Sequence, residues 1–329
     1  MTQPLRWGVL GAAWIADRAV IPALQAAAGC EPVAIAARDP QRAAAMARRH
    51  GLPGVHSSYR ELLEDPEVDA VYLPLANSLH REWTLRALAS GKHVLCEKPL
   101  ALNEAEAQEM AAAAEGAGLL LMEAAMYRFH PRMRELVASL SGERIQHVYS
   151  SFGFTIRTAG NYRLEPGFGG GALLDVGFYV ADVARWLLGE PERVEAVIHE
   201  DGVDMSCSAL LGFAGGAQAS LYCSFESPEV QDLIVISNER VLQLQRPFSA
   251  WRDPDDPYQL MVEAFSRAAQ AGGEAPLPIE SSIANARLLD RIRAARPRGT
   301  GLRASGSRIS RNANNAEIAA NRRLIVAGA

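Results

Sequence analysis

The chain has 329 residues, 49% of them hydrophobic and 22% charged, with a formal net charge of −5 at pH 7. That length accommodates about two domains of roughly 150 residues, and the composition is that of a soluble globular protein. The charge offers no footprint for nucleic acid, and no apolar run approaches the ~18 residues of a membrane span. Met1–Arg6 leads into a strand and not a signal peptide, so a cytoplasmic protein is expected.

The predicted elements open with strand Leu5–Gly11, helix Ile15–Ala28, strand Pro32–Ala37 and helix Pro40–His50. Strand Ala70–Leu75, helix Leu79–Ser90, strand His93–Cys96, helix Glu104–Gly116 and strand Leu119–Glu123 continue the series. Short apolar strands alternating with helices of about ten or more residues make parallel βαβ units. Residues 1–124 therefore read as an α/β, doubly wound parallel sheet of the Rossmann type.

Its first turn, Gly11-Ala12-Ala13-Trp14-Ile15-Ala16, has the spacing of a dinucleotide phosphate fingerprint, with alanine in the second and third glycine slots. Gly11 permits the tight turn, and Ala16 lets helix and strand pack closely. The helix amino terminus brings unpaired N–H groups and a favourable dipole to the pyrophosphate. Gly11, Ala12, Ala13, Trp14 and Ile15 are thus candidate cofactor contacts. At the next strand tip, Ala36-Ala37-Arg38-Asp39, alanine replaces the acid that binds a ribose 2′-hydroxyl. Arg38 suits a 2′-phosphate, which favours NADP over NAD; the alternative makes Asp39 a helix cap and Arg38 a solvated charge. Leu75, Asn77 and His80, just beyond Ala70–Leu75, stand on the cofactor edge of the sheet. Two readings stay open for them: contact with the nicotinamide half, or a helix cap at Asn77 and a packing histidine at His80.

Glu97-Lys98-Pro99-Leu100 follows strand His93–Cys96 directly. Lys98 is one of two lysines, with Lys92, in a chain that otherwise uses arginine. Ligands of open α/β sheets sit beyond the strand carboxyl ends. A compact ammonium there can steer protons as a guanidinium cannot. Cys30, Cys96, Cys207 and Cys223 are scattered and read as buried thiols, with no metal-ligand spacing.

Beyond Glu123 the pattern changes. Helix Pro131–Leu140 and strand His147–Thr155 precede a loop rich in Asn, Arg, Pro and Gly, then helix Ala172–Leu188. Strands Arg193–His199, Met205–Phe213, Ala217–Phe225, Asp232–Ser237 and Arg240–Gln245 follow, joined by short turns. They imply an α+β domain over 125–295 with a large, mostly antiparallel open sheet. One face should pack on Ala172–Leu188, and the other, if apolar, suits a partner subunit. Helix Ile279–Ala295 ends this part. Residues 296–329, basic and rich in Gly and Ser, read as a flexible tail.

These motifs together resemble the Gfo/Idh/MocA oxidoreductases, closest to the branch of NADP-dependent D-xylose dehydrogenases and dimeric dihydrodiol dehydrogenases. The resemblance rests on Gly11–Ala16, Asn77–His80, Glu97-Lys98-Pro99, the stretches 122–131 and 161–166, and Gly169-Gly170-Gly171 through Asp175 to Tyr179. It spans roughly residues 5 to 295. It implies that Tyr179, where most relatives carry histidine, is the proton donor or acceptor, with Lys98 as its partner. It also implies NADP as cofactor, with NAD as the second choice, a cis peptide at Lys98–Pro99 and a homodimer or higher homo-oligomer. A free phenol has a pKa near 10, and a nearby ammonium favours phenolate. Asp175 lies one helical turn before Tyr179 and could orient Lys98 or bind a substrate hydroxyl. Glu97 joins the cofactor contacts, while Phe154, Arg157, Asn161 and Arg163 are expected to meet hydroxyls of a sugar or cyclic diol. The reaction expected is hydride transfer between nicotinamide and that small molecule, with no metal, nucleic acid or membrane involved. A nucleotide-binding sensor without turnover is the rival, and it has no need to keep Lys98, Asp175 and Tyr179 together.

Overall fold

The computed structural model describes residues 3–158, 160–250, 252 and 254–295. The tail expected at 296–329 lies outside the described residues. The first half runs β1 (Leu5–Leu10), a π turn Ala16–Val20 into α1 (Ile21–Ala26), β2 (Cys30–Ala36), α2 (Pro40–His50), β3 (Gly54–His56) and α3 (Tyr59–Glu64). It continues with β4 (Ala70–Leu73), α4 (His80–Ala89), β5 (His93–Cys96), α5 (Glu104–Ala117) and β6 (Leu121–Glu123). All six strands are parallel, in the order β3-β2-β1-β4-β5-β6. This is the doubly wound arrangement, with its crevice where the order reverses between β1 and β4. β4 is buried throughout and β5 at its last three residues, as strands covered by helices on both faces must be.

The second half comprises α6 (Pro131–Ser139), β7 (Ile145–Gly153), a π turn Leu173–Gly177 into α7 (Phe178–Leu188), β8 (Arg193–Asp201), β9 (Val203–Gly212) and β10 (Gln218–Ser224). It ends with β11 (Val230–Ser237), β12 (Val241–Gln245), α8 (Pro257–Ala271) and α9 (Ile279–Ala294). The strand order is β12-β11-β7-β10-β9-β8, with only β7 and β10 parallel. One face buries Val148, Ala219, Leu221, Leu233 and Val235 beneath α7 and the π turn. The other face exposes Tyr149, Val197, Leu210 and Val241.

Three elements stand where the sequence reading placed none. β3 is too short for alternation to show. α3 carries a legible start, because Ser58 accepts from Glu61 N while Glu61 reaches back to Ser57 N. α8 also carries one: Asp256 caps it, Pro257 opens it and Gly272 closes it in a left-handed conformation. α8 matters most, because it packs beneath the parallel sheet. There Trp7, fully buried on β1, lies 5.1 Å from the Phe265 ring and donates to Ser266.

Candidate active site

A cavity of about 1050 Å³ runs along the carboxyl edge of the parallel sheet to Phe152 on β7. At one end it is lined by Gly11, Ala12, Ala13, Trp14 and Ile15. Gly11 has φ +132°, and a Cβ there would sit 3.0 Å from the Leu75 side chain, so only glycine keeps the turn open. The first N–H groups of the following helix have no partners within that helix and face an anion-sized space.

At the tip of β2, Arg38 is exposed, as the solvated-charge reading has it. Asp39 caps α2 by accepting from Gln41 N and Arg42 N, and Arg38 nonetheless lines the cavity. Arg42 and Arg60 line it as well, and Arg42 ties α2 to the turn through Ala12 O at 2.9 Å. Neither was anticipated. Arg42 lies one turn into α2, and Arg60 on the unread α3, where Tyr59 and Trp83 meet edge to face at 4.8 Å. These residues fit an NADP: a bare glycine turn for the pyrophosphate, then three guanidinium groups around the place of a 2′-phosphate.

Leu75 and Asn77 line the cavity, but Asn77 is not a cap. Its amide donates to Gly169 O at 2.8 Å, tying the first half to the loop before the π turn. His80 does not face the cavity. It is fully buried, with Nδ1 2.8 Å from Pro99 O and Nε2 3.0 Å from Leu75 O. It braces two cavity-lining segments from behind and touches nothing inside.

Lys98 follows β5, with the Lys98–Pro99 peptide cis as expected. Its ammonium donates to Asp175 Oδ1 at 2.7 Å and to Asp175 O at 3.0 Å. Arg163 Nε donates to the other carboxylate oxygen at 2.7 Å. Burial pushes the Asp175 carboxyl up, but the Lys98 and Arg163 charges prevail and hold it at about 2. Gly171 shapes this site: at φ +120° it leaves room for Asp204, which accepts from Leu173 N at the start of the π turn. That turn delivers Asp175 and Tyr179 to one wall.

Tyr179 is half-buried, and its ring lies beneath the Lys98 ammonium, 5.0 Å from the centroid. Among the described residues its hydroxyl makes no hydrogen bond. Burial raises its pKa well above the ordinary phenol value, and the Glu97 and Asp175 carboxylates push it further in that direction. Lys98, expected as its partner, lies over the ring face and bonds to Asp175, not to the phenolic oxygen. Around Tyr179 stand Phe152, Phe154, Tyr162, Phe168 and Tyr258, which line this end of the cavity. Arg163 lies 4.7 Å over the Tyr162 ring, with its terminal N–H groups unengaged among the described residues.

Of the four residues expected to meet substrate, Phe154 and Arg163 line the cavity. Arg157 is exposed and does not face it. Asn161 uses its side chain to cap the short turn Tyr162–Leu164, accepting from Arg163 N at 3.1 Å. Glu97 lines the cavity and accepts from the Tyr72 hydroxyl at 2.7 Å. Tyr258, on α8, was missed with its helix.

Comparison with known proteins gives consistent results. Residues 5–125 match the model of the GFO/IDH/MocA oxidoreductase family with an NAD-binding Rossmann fold, and 130–241 match the GFO/IDH/MocA C-terminal domain. A D-xylose 1-dehydrogenase (NADP⁺) of Haloferax volcanii is 39% identical, over 88% of this chain and 96% of that protein. The trans-1,2-dihydrobenzene-1,2-diol dehydrogenase of Sus scrofa is 37% identical over 74% of this chain and 75% of its own. Among solved structures, the 3-ketoreductase KijD10 of Actinomadura kijaniata, in complex with NADP and TDP-benzene, aligns with TM-score 0.81. Its identity is 32%, over 89% of this chain and 98% of that one.

Proposed function

The chain belongs to the Gfo/Idh/MocA oxidoreductase family, and we propose from that premise a definite activity. It is an NADP-dependent oxidoreductase that interconverts a hydroxyl and a carbonyl on a sugar or cyclic diol. The observation that carries this reading is the ion cluster Lys98–Asp175–Arg163 beside Tyr179, at the far end of a cavity that begins in a glycine turn ringed by arginines.

NADP, when bound, supplies the hydride chemistry. Gly11 to Ile15 would hold its pyrophosphate, and Arg38, Arg42 and Arg60 would hold the 2′-phosphate by charge-assisted bonds. Tyr179 Oη exchanges a proton with the substrate oxygen. The Lys98 ammonium, fixed by Asp175, stabilises alkoxide character on that oxygen. Arg163 N–H groups anchor a neighbouring hydroxyl, and the aromatic walls pack on the ring and exclude water.

The division of the chain at about residue 124 into a cofactor part and a substrate part belongs to the same reading. So does a homodimer through the outer face of the second sheet, supported by its exposed Tyr149, Val197, Leu210 and Val241. No helix among the described residues is long and apolar enough to cross a membrane. A cytoplasmic location is supported by four cysteines that are all unpaired.

The test is NADP⁺ reduction, followed by NADPH absorbance, with D-xylose, other aldoses and trans-1,2-diols, and NAD⁺ as the alternative acceptor. Turnover of at least one, with NADP⁺ preferred, is expected. Flat traces from a protein that binds NADP⁺ tightly would identify a sensor.

A further inference from the structure

A neutral phenol that takes a proton from a substrate hydroxyl must give up its own, and Lys98 cannot receive it. Its ammonium is already protonated and is held by Asp175 above the ring face. Asp175 is a poor acceptor too, since both its oxygens are engaged by cations. Glu97 is different. Its carboxyl lines the same cavity and accepts from Tyr72 Oη at 2.7 Å and, at 3.3 Å, from Lys98 N. Among the described residues, no side-chain cation bonds to it. Of the charges around Tyr179 Oη, the Glu97 carboxylate acts most strongly, ahead of Asp175. Tyr258 lines the same cavity and is itself buried, with a hydroxyl unbonded among the described residues.

We infer that Glu97 is the proton reservoir of the reaction: a positioning residue acting through Tyr179, with Tyr258 lining the same cavity. This rests on the oxidoreductase reading above. In oxidation the substrate O–H bond breaks and its proton goes to Tyr179 Oη, while the phenolic proton of Tyr179 passes through water in the cavity to the Glu97 carboxylate. The C–H bond gives its electron pair as hydride to the nicotinamide, so the carbon is oxidised and the nicotinamide reduced. Once the carbonyl product leaves, Glu97 releases its proton to water through the opened cavity. Reduction runs the same transfers in reverse.

The groups facing Glu97 set its readiness. Tyr72 on β4 donates to it, and Lys98 beside it favours the carboxylate, while Asp175 disfavours it. Cys96, Tyr162, Tyr179 and Tyr258 complete its surroundings as neutral groups. Burial is the largest influence and raises its pKa from the ordinary value, which suits a group that must both accept and release.

The first test needs no turnover. In cofactor-free protein carrying carbon-13 at glutamate carboxyls, the Glu97 signal is identified by its loss in Glu97→Gln. It is expected to titrate above the ordinary value of about 4.3 and to shift in Tyr179→Phe and Tyr258→Phe. A Glu97 signal with ordinary titration, indifferent to both changes, overturns the inference. In turnover, Glu97→Gln is expected to lower kcat about a hundredfold and to erase the acidic limb of its pH profile. Glu97→Asp should restore the limb. A lower rate with the limb intact also overturns it. A wild-type protein that oxidises none of the substrates defeats the oxidoreductase reading alone, because the carboxyl titration is decided without it.

Discussion

The Lys98 ammonium lies over the face of the Tyr179 ring, 5.0 Å from its centroid, and bonds to Asp175 instead of the phenolic oxygen. The cation therefore does not create a phenolate at rest. It is placed to meet charge that develops on a substrate oxygen above it, which is the electrostatic role that contributes most in such sites. In the mechanism proposed above, Tyr179, kept neutral by burial and by two carboxylates, carries the proton. Both Tyr179→Phe and Lys98→Ala should lower turnover by at least about a hundredfold, with cofactor affinity little changed. Steady-state kinetics beside fluorescence titration with NADP⁺ checks this, and near-normal turnover by either variant would remove the corresponding role.

Asp175 is worth more as a counter-ion than as a reactant. In Asp175→Asn the Lys98 and Arg163 cations lose their shared partner in a buried place. Breaking such a pair costs about 3 kcal/mol, so the melting temperature should drop by several degrees and turnover should fall with it. The pH dependence has a definite sign. The folded carboxyl is held at about 2, below its unfolded value of about 3.9. Its contribution is complete above the unfolded value and is lost as pH falls through the folded one. Acid unfolding of the wild type should therefore show a stability loss between about pH 4 and pH 2 that Asp175→Asn lacks.

Much of this was legible in the chain. Strand-helix alternation fixed the parallel sheet, because each strand is a buried apolar run closed by a turn. Gly11, Lys98, Asp175 and Tyr179 were legible as one constellation because each occupies a motif position. The residues that were not legible depend on distance in space. Tyr258 comes from a helix more than 150 residues beyond Lys98, and nothing local marks it as lining the cavity. Arg157 and Asn161 were misplaced for the same reason: polar residues in an irregular loop carry no period, so their direction is set by the fold. His80 stayed open between two readings because a histidine bonded to two carbonyls looks, in sequence, like one that meets a ligand.

Cofactor preference should reside in the β2 tip. Arg38 lines the cavity where an acid would bind a ribose hydroxyl, and Asp39 is committed to the α2 cap. Arg38→Ala removes a charge-assisted contact of about 1.5–3 kcal/mol. NADP⁺ affinity should fall at least tenfold while NAD⁺ affinity holds. Isothermal titration with both dinucleotides measures it, and equal losses for the two would show that Arg38 does not read the phosphate.

The outer face of the second sheet carries the assembly prediction. Strand pairing sets Ile234, Tyr149, Ser220 and Leu210 in one cross-strand row, flanked by exposed Val197 and Val241. In the dimer proposed above, this row is the surface that meets the second copy. Leu210→Glu should convert a dimer to a monomer in light scattering, without loss of fold by circular dichroism. A wild type that is already monomeric at micromolar concentration removes the prediction.

Glu123 gives a stability signature at neutral pH. It ends β6, is 3% exposed and accepts from Leu100 N immediately after Pro99. Burial drives its pKa up to about 7, against the bond from Leu100 N. Here the folded value lies above the unfolded one of about 4.3. Between the two, the unfolded chain is ionised while the folded protein keeps the proton, so folding stability falls as pH rises through that window and levels off above about 7. At 1.36 kcal/mol per pKa unit, the change is on the order of 3 kcal/mol. Glu123→Gln keeps an acceptor for Leu100 N and removes the titration. Urea unfolding at about pH 5 and pH 8 should show a wild type that loses stability on going to the higher pH and a variant that does not. Parallel curves would mean that the carboxyl is already ionised at pH 5 and that its bonds outweigh its burial.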